Sequence, residues 1–143
     1  MTIKQISVFL ENKEGRLSKI LNILKREDID IRALSLADTS EFGLLRMIVH
    51  DYDKAKKALE KENLAITITE VLAVEVPDTP GGLESMLNIL TNEKINVEYI
   101  YAFVEKKTQK AIVVIRTEEN DKSIKLLKDN GFTELSQQDV YQL

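Results

Sequence analysis

At 143 residues, with 43% hydrophobic and 31% charged side chains, the chain has the make-up of a soluble globular protein of one domain or two small ones, not of a disordered segment. Its formal net charge of -4 argues against the concentrated basic face that phosphate-backbone binding requires, so nucleic acid is not an expected partner. With no cysteine and one histidine, disulfides, thiolate metal sites and cysteine nucleophiles are excluded, and neither a metal nor a cofactor is expected.

The first stretch, MTIKQISVFLENKEG, has too short an apolar run for a signal peptide, and no later run is long enough to span a membrane; a cytoplasmic location and no membrane partner follow as expectations. Ile6, Val8 and Leu10 alternate with other positions, the period of a strand with one face on a core. Leu17, Ile20, Leu21 and Leu24 then recur at helical spacing and predict a helix from near Gly15 to Glu27. IDIRALSLADT and LLRMIVHD read as two further strands joined by a hairpin. DKAKKALEKEN is a second helix, with Ala55, Ala58 and Leu59 on its apolar side, and AITITE a fourth strand. The series then begins again with no glycine, proline or serine break in AITITEVLAVEVP. Leu72, Val74 and Val76 mark a strand, and Leu83, Met86, Leu87 and Leu90 a helix from Pro80 to Glu93. INVEYIYAFVEKK and KAIVVIRT are strands, NDKSIKLLKDNG a helix closed by Gly131, and FTEL a last strand.

Setting Gly15 on Gly81 aligns the two halves without a gap through the first helix, where LNIL is identical in both; a short insertion restores the match further on. The chain is a duplication, with repeats at residues 1–70 and 71–143. Two successive βαββαβ units define an α+β protein of the ferredoxin-like class, with antiparallel sheets carrying helices on one face. That fold alone does not assign an activity. RNA readers built on it carry a glycine-aromatic consensus on the third strand, which neither repeat has, and metal carriers need a paired-cysteine loop.

The discriminating segment is PDTPGGLESMLNIL, which starts a helix on proline and two glycines. Glycine costs about 1 kcal/mol against alanine inside a helix, so Gly81 and Gly82 serve either a tight turn or the close approach of another molecule to first-turn amides. Asp78, Pro80, Gly81 and Leu83, followed after the helix by Asn96 and Val97, resemble the motif of the ACT domain, a small amino-acid-binding regulatory module. The first repeat reads Asn12, Glu14, Gly15, Leu17, Asp30 and Ile31 at the same positions, with glutamate in place of proline, so the second repeat is expected to hold the better site. The resemblance implies a ligand seated between two ACT units, for which the other repeat is one available partner.

A free amino acid fits this chemistry. A helix N-terminus attracts its carboxylate, Asn12 or Asp78 supplies an oxygen for its ammonium, Arg16 adds a donor for the carboxylate, and Asp30 or Asn96 closes the site. The same residues also suit purely structural work. Asn12, Asp78 and Thr79 are good helix caps with Pro80 at the first helical position, Asp30 and Asn96 are good turn residues, and His50 reads as structural. The candidate binding set is therefore Asn12, Gly15, Arg16, Leu17 and Asp30 in one repeat, and Asp78, Pro80, Gly81, Gly82, Leu83 and Asn96 in the other.

Tyr99, Tyr101 and Phe103 alternate along one strand, with Ile100, Ala102 and Val104 on its opposite face; Phe9, Ile48, Ile112 and Val114 make the second sheet face apolar elsewhere. Helices cover only one face of such a sheet, so a homodimer, or another protein, is expected on the other. No nucleophile-base pair, metal cluster or phosphate loop is present, so there are no catalytic residues and no enzyme is expected. The sequence points to a free-standing sensor of a free amino acid that regulates an enzyme of amino-acid metabolism in trans; the alternative is a structural or adaptor subunit with vestigial pockets.

Overall fold

The computed structural model describes residues 2–38, 41–103 and 110–143. Their order is β1 (Ile3–Glu11), α1 (Arg16–Arg26), β2 (Ile31–Asp38), β3 (Phe42–Val49), α2 (Tyr52–Lys61), β4 (Ala65–Pro77), α3 (Gly82–Asn92), β5 (Val97–Ala102), β6 (Lys110–Thr117), α4 (Asn120–Asp129), β7 (Thr133–Glu134) and α5 (Gln137–Tyr141). The residues divide into two compact units, one of residues 4–69 and the other of residues 70–141 with Thr2 and Ile3. The strand predicted to end one repeat and the strand predicted to begin the next are one element, the 13-residue β4, because nothing in AITITEVLAVEVP breaks extended backbone.

In the N-terminal unit the strand order is β2-β3-β1-β4. β1 and β3 run antiparallel with Ile6 opposite Met47 and Val8 opposite Leu45, which puts all four side chains on one face. Ile20, Ile23 and Leu24 of α1 and Ala55, Ala58 and Leu59 of α2 close over that face, and every one of these side chains is buried. Helix α2 opens on Asp51, whose carboxylate accepts from the Lys54 N–H at 3.1 Å.

The C-terminal unit repeats the plan, with β6 between β5 and β4 and with β7 on β4. Leu72 faces Ile115 and Val74 faces Val113 across the β4–β6 ladder, under Met86 and Leu90 of α3 and Leu127 of α4. Both units carry a β-bulge at the same aligned place, between Ile31 and Ala33 in β2 and between Val97 and Tyr99 in β5. Each is a ferredoxin-like unit, as the hydrophobic periods predict.

Two local expectations are corrected. The final strand is only Thr133–Glu134, and a short helix follows it. Ser136 and Asp139 form a reciprocal cap: Asp139 Oδ2 accepts from the Ser136 N–H at 2.9 Å, and Ser136 Oγ from the Asp139 N–H at 3.1 Å. The second sheet face is also less bare than its composition implies. Tyr99 and Tyr101 lie opposite Arg116 and Val114, on the face away from the helices, with ring centroids 6.5 Å apart. Ile48 and Val114 on those far faces are already fully buried within one chain, whereas Phe9 remains 52% exposed. Val104 lies outside the described residues.

Candidate functional site

Both units turn from their first strand into their first helix over a glycine in the left-handed region. Gly15 has φ 80° and Gly81 φ 84°, each is the N-cap residue, and neither helix has a side-chain cap. Asn12, Asp78 and Thr79 therefore do not cap these helices, and Pro80 precedes the helix instead of opening it. Gly82 is its first residue, its N–H donating to Thr79 O at 3.0 Å. The N–H groups of Leu17 and Ser18, and of Leu83 and Glu84, have no protein acceptor among the described residues, so each helix presents unpaired first-turn donors.

The two glycines of the second repeat do different things. A Cβ on Gly81 would meet nothing within 4 Å, so its requirement for glycine is the positive φ. A Cβ on Gly82 would lie 2.0 Å from the Pro77 carbonyl oxygen, so that position is closed by the protein's own backbone. Gly82 is accordingly buried, while Asp78, Thr79, Pro80 and Gly81 are exposed and Leu83 is 40% exposed. In the first repeat Asn12, Gly15 and Arg16 are exposed, and Leu17 packs partly against the core.

Asp30 and Asn96 are not brought to these turns within their own units. Each follows the C-terminal end of an 11-residue helix, about 16 Å from its start at the usual rise. There they belong to matched clasps. The Asp30 N–H donates to His50 Nδ1 at 3.0 Å, and the His50 N–H donates back to Asp30 O at 3.1 Å. In the other unit the Asn96 N–H donates to Glu118 Oε1 at 3.2 Å, and the Glu118 N–H to Asn96 O at 3.3 Å. The Asp30 carboxylate also pairs with Arg32 at 2.9 Å. The structural reading of His50 holds, and Glu118 does the same work in the other unit.

Beside the first of these turns lies a cleft of about 260 Å³ between the end of β1, the opening of α1 and the α2–β4 connection. Phe9, Leu10, Glu11, Arg16, Lys19, Ile20, Asn63, Leu64 and Ala65 line it. The Glu11 carboxylate sits 2.9 Å from Lys13 and 3.7 Å from Arg16. The Lys13 hydrogen bond first, then the Lys13 and Arg16 charges, hold that carboxyl below its ordinary pKa. The aligned place in the other unit is a cleft of about 240 Å³, lined by Glu75, Val76, Pro77, Lys110 and residues 130–133. Among the described residues no helix is long and apolar enough to cross a membrane.

These paired units, each with a left-handed glycine between its first strand and first helix, define a tandem ferredoxin-like fold. The whole chain, residues 1–143, matches the ACT domain pair, and the protein belongs to that family. It is similar to protein BT0572 from Bacteroides thetaiotaomicron, 42% identical with a TM-score of 0.93, over 100% of this chain and 98% of that one. The regulatory subunit of aspartate kinase from Thermus thermophilus, in its ligand-free form, has the same fold at 16% identity and a TM-score of 0.62, over 90% of this chain and 92% of that one. Aspartokinase III of E. coli, in complex with lysine and aspartate, aligns at 14% identity and a TM-score of 0.52, over 90% of this chain but 31% of that one. No curated protein matches the chain.

Proposed function

We propose that the protein is a non-catalytic regulatory module that binds a free amino acid and controls a partner enzyme of amino-acid metabolism in trans. The observation that carries this reading is the duplicated turn. In both units a left-handed glycine opens the first helix with no side chain over its end, leaving backbone donors unpaired where a ligand carboxylate would be held. The fold shared with a regulatory subunit of aspartate kinase supports a regulatory role. Asp30 and Asn96 stand far from the turn of their own unit, so their participation as ligand contacts requires a neighbouring ACT unit, which a homodimer supplies. Binding at such a junction favours one arrangement of units over another and hence works as a switch without chemistry.

The test is thermal unfolding of the purified chain against each free amino acid. A ligand present at a hundred times its dissociation constant stabilises by about 2.7 kcal/mol, a clear shift for a protein of this size. A flat response across the panel would remove the sensor reading and leave the structural or adaptor subunit in its place.

A further inference from the structure

The two aligned clefts differ in charge. In the N-terminal unit Arg16 and Lys19, one helical turn apart on α1, both reach the cleft, with the Glu11 carboxylate at its rim. Lys19 has no ion-pair partner among the described residues, and Arg16 is only loosely held by Glu11 at 3.7 Å. At the aligned positions α3 carries Gly82 and Ser85, and no residue of that helix lines its cleft. The cation there, Lys110, comes from β6 and lies 3.5 Å from the Glu75 carboxylate. The backbone frame has been kept through duplication and the charge pattern has not.

From this we infer that the cleft of the N-terminal unit is a site for a small acidic amino acid, and that its counterpart in the C-terminal unit is not. Two cations and one carboxylate around the cleft complement a ligand with two carboxylates and one ammonium. Arg16 and the unpaired first-turn N–H groups of α1 take one carboxylate, Lys19 takes the other, and Glu11 exchanges its present cation partners for the ligand's ammonium. Ile20 and Leu64 give the cleft an apolar floor for a short methylene chain. At about 260 Å³ the space falls just under the range of about 300–1,000 Å³ typical of drug-sized ligands and suits a smaller metabolite. This inference rests on the sensor reading above and narrows it to one ligand class and one unit.

Calorimetric titration of the whole chain with L-glutamate, L-glutamine and glutarate tests it, with L-leucine as a neutral reference. Glutamate should bind at least about tenfold more tightly than glutamine, which lacks the second carboxylate, or glutarate, which lacks the ammonium. Arg16→Gln and Lys19→Gln, both at surface positions, should each weaken glutamate by about tenfold, and Lys110→Gln should leave it unchanged. Equal affinity for glutamate and glutamine, or glutamate binding that survives both cleft substitutions, would overturn the inference. Binding of leucine but not glutamate would overturn it while sparing the sensor reading; failure of every amino acid would remove both.

Discussion

Replacing Gly82 with alanine places a methyl group where the backbone already is. The added Cβ would sit 2.0 Å from the Pro77 oxygen, 3.0 Å from its carbonyl carbon and 3.3 Å from its Cβ, whereas real Cβ atoms essentially never approach a heavy atom within 3.0 Å. The obstacle must therefore retreat by about 1 Å, and it is a proline carbonyl at the end of β4, not a side chain that can change rotamer. Overpacking costs about 1–3 kcal/mol, and a backbone obstacle puts this case at the upper end, about 3 kcal/mol. That corresponds to a fall in Tm of about 10 °C for a chain of this length. Gly81→Ala is the matched control: it meets nothing, and pays only the left-handed penalty of about 1–2 kcal/mol. Urea unfolding followed by circular dichroism orders the three proteins. If Gly82→Ala were as stable as the parent, or more stable than Gly81→Ala, the assignment of Gly82 to backbone clearance would fail. The substitution also cannot serve as a clean probe of ligand access, because it disturbs the fold first.

Exchange at the clasps should follow acceptor chemistry. His50→Glu keeps an acceptor for the Asp30 N–H, as Glu118 does for Asn96, and should retain slow amide exchange at Asp30, while His50→Ala should lose that protection and about 1 kcal/mol. The Asp139 carboxyl is held below its ordinary pKa, chiefly by the Ser136 backbone N–H and then by the Ser136 hydroxyl. Its stabilising contribution is complete above the ordinary carboxylate range and is lost as pH falls through the folded value, so the gap between parent and Asp139→Ala should be open at neutral pH and close on acidification; a gap independent of pH would contradict the cap. Charge at Tyr101, half-buried on the far face of β5, should weaken the proposed homodimer; Tyr101→Glu is compared with the parent by sedimentation velocity, and a parent that is monomeric at micromolar concentration would remove the dimer.

Most of the fold is legible in the sequence because period 2 and period 3.6 are written cleanly in its leucines, isoleucines and valines. Ile6, Val8 and Leu10, and Leu72, Val74 and Val76, all reach a core, and KAIVVIRT is β6 from end to end. Helix α5 is not among the expected elements, although Ser136 and Asp139 have the spacing of a reciprocal cap, because QQDVY buries only Val140 and so shows no helical period. The site was harder to read. Glycine is required by a positive φ at Gly81 and by a neighbouring carbonyl at Gly82, and both look the same as room for a ligand when only the letters are seen. The clasps were hidden for a different reason: a histidine and a glutamate share no class in composition, yet each places a side-chain acceptor opposite the same backbone N–H.

The contrast between Arg16 and Gly82 shows how the repeats came to differ at a position their frame shares. In the N-terminal unit the carbonyl at the end of the first strand, Glu11 O, accepts from the Lys13 N–H at 2.8 Å. The corresponding bond from the Thr79 N–H to Pro77 O is not made, and the Pro77 oxygen points instead at the space a side chain on residue 82 would need. The first turn of α1 thus carries a long cation, whereas the Pro77 oxygen excludes any side chain from the same place on α3. The proline that makes the second repeat the fuller match to the ACT motif accompanies a turn that denies its helix the charged residue the first repeat carries. Motif completeness and the pair of cations on the first helix consequently fall on opposite halves of the chain, and for that reason the proposed acidic-ligand site is assigned by the charge pattern of the cleft and not by the count of motif letters.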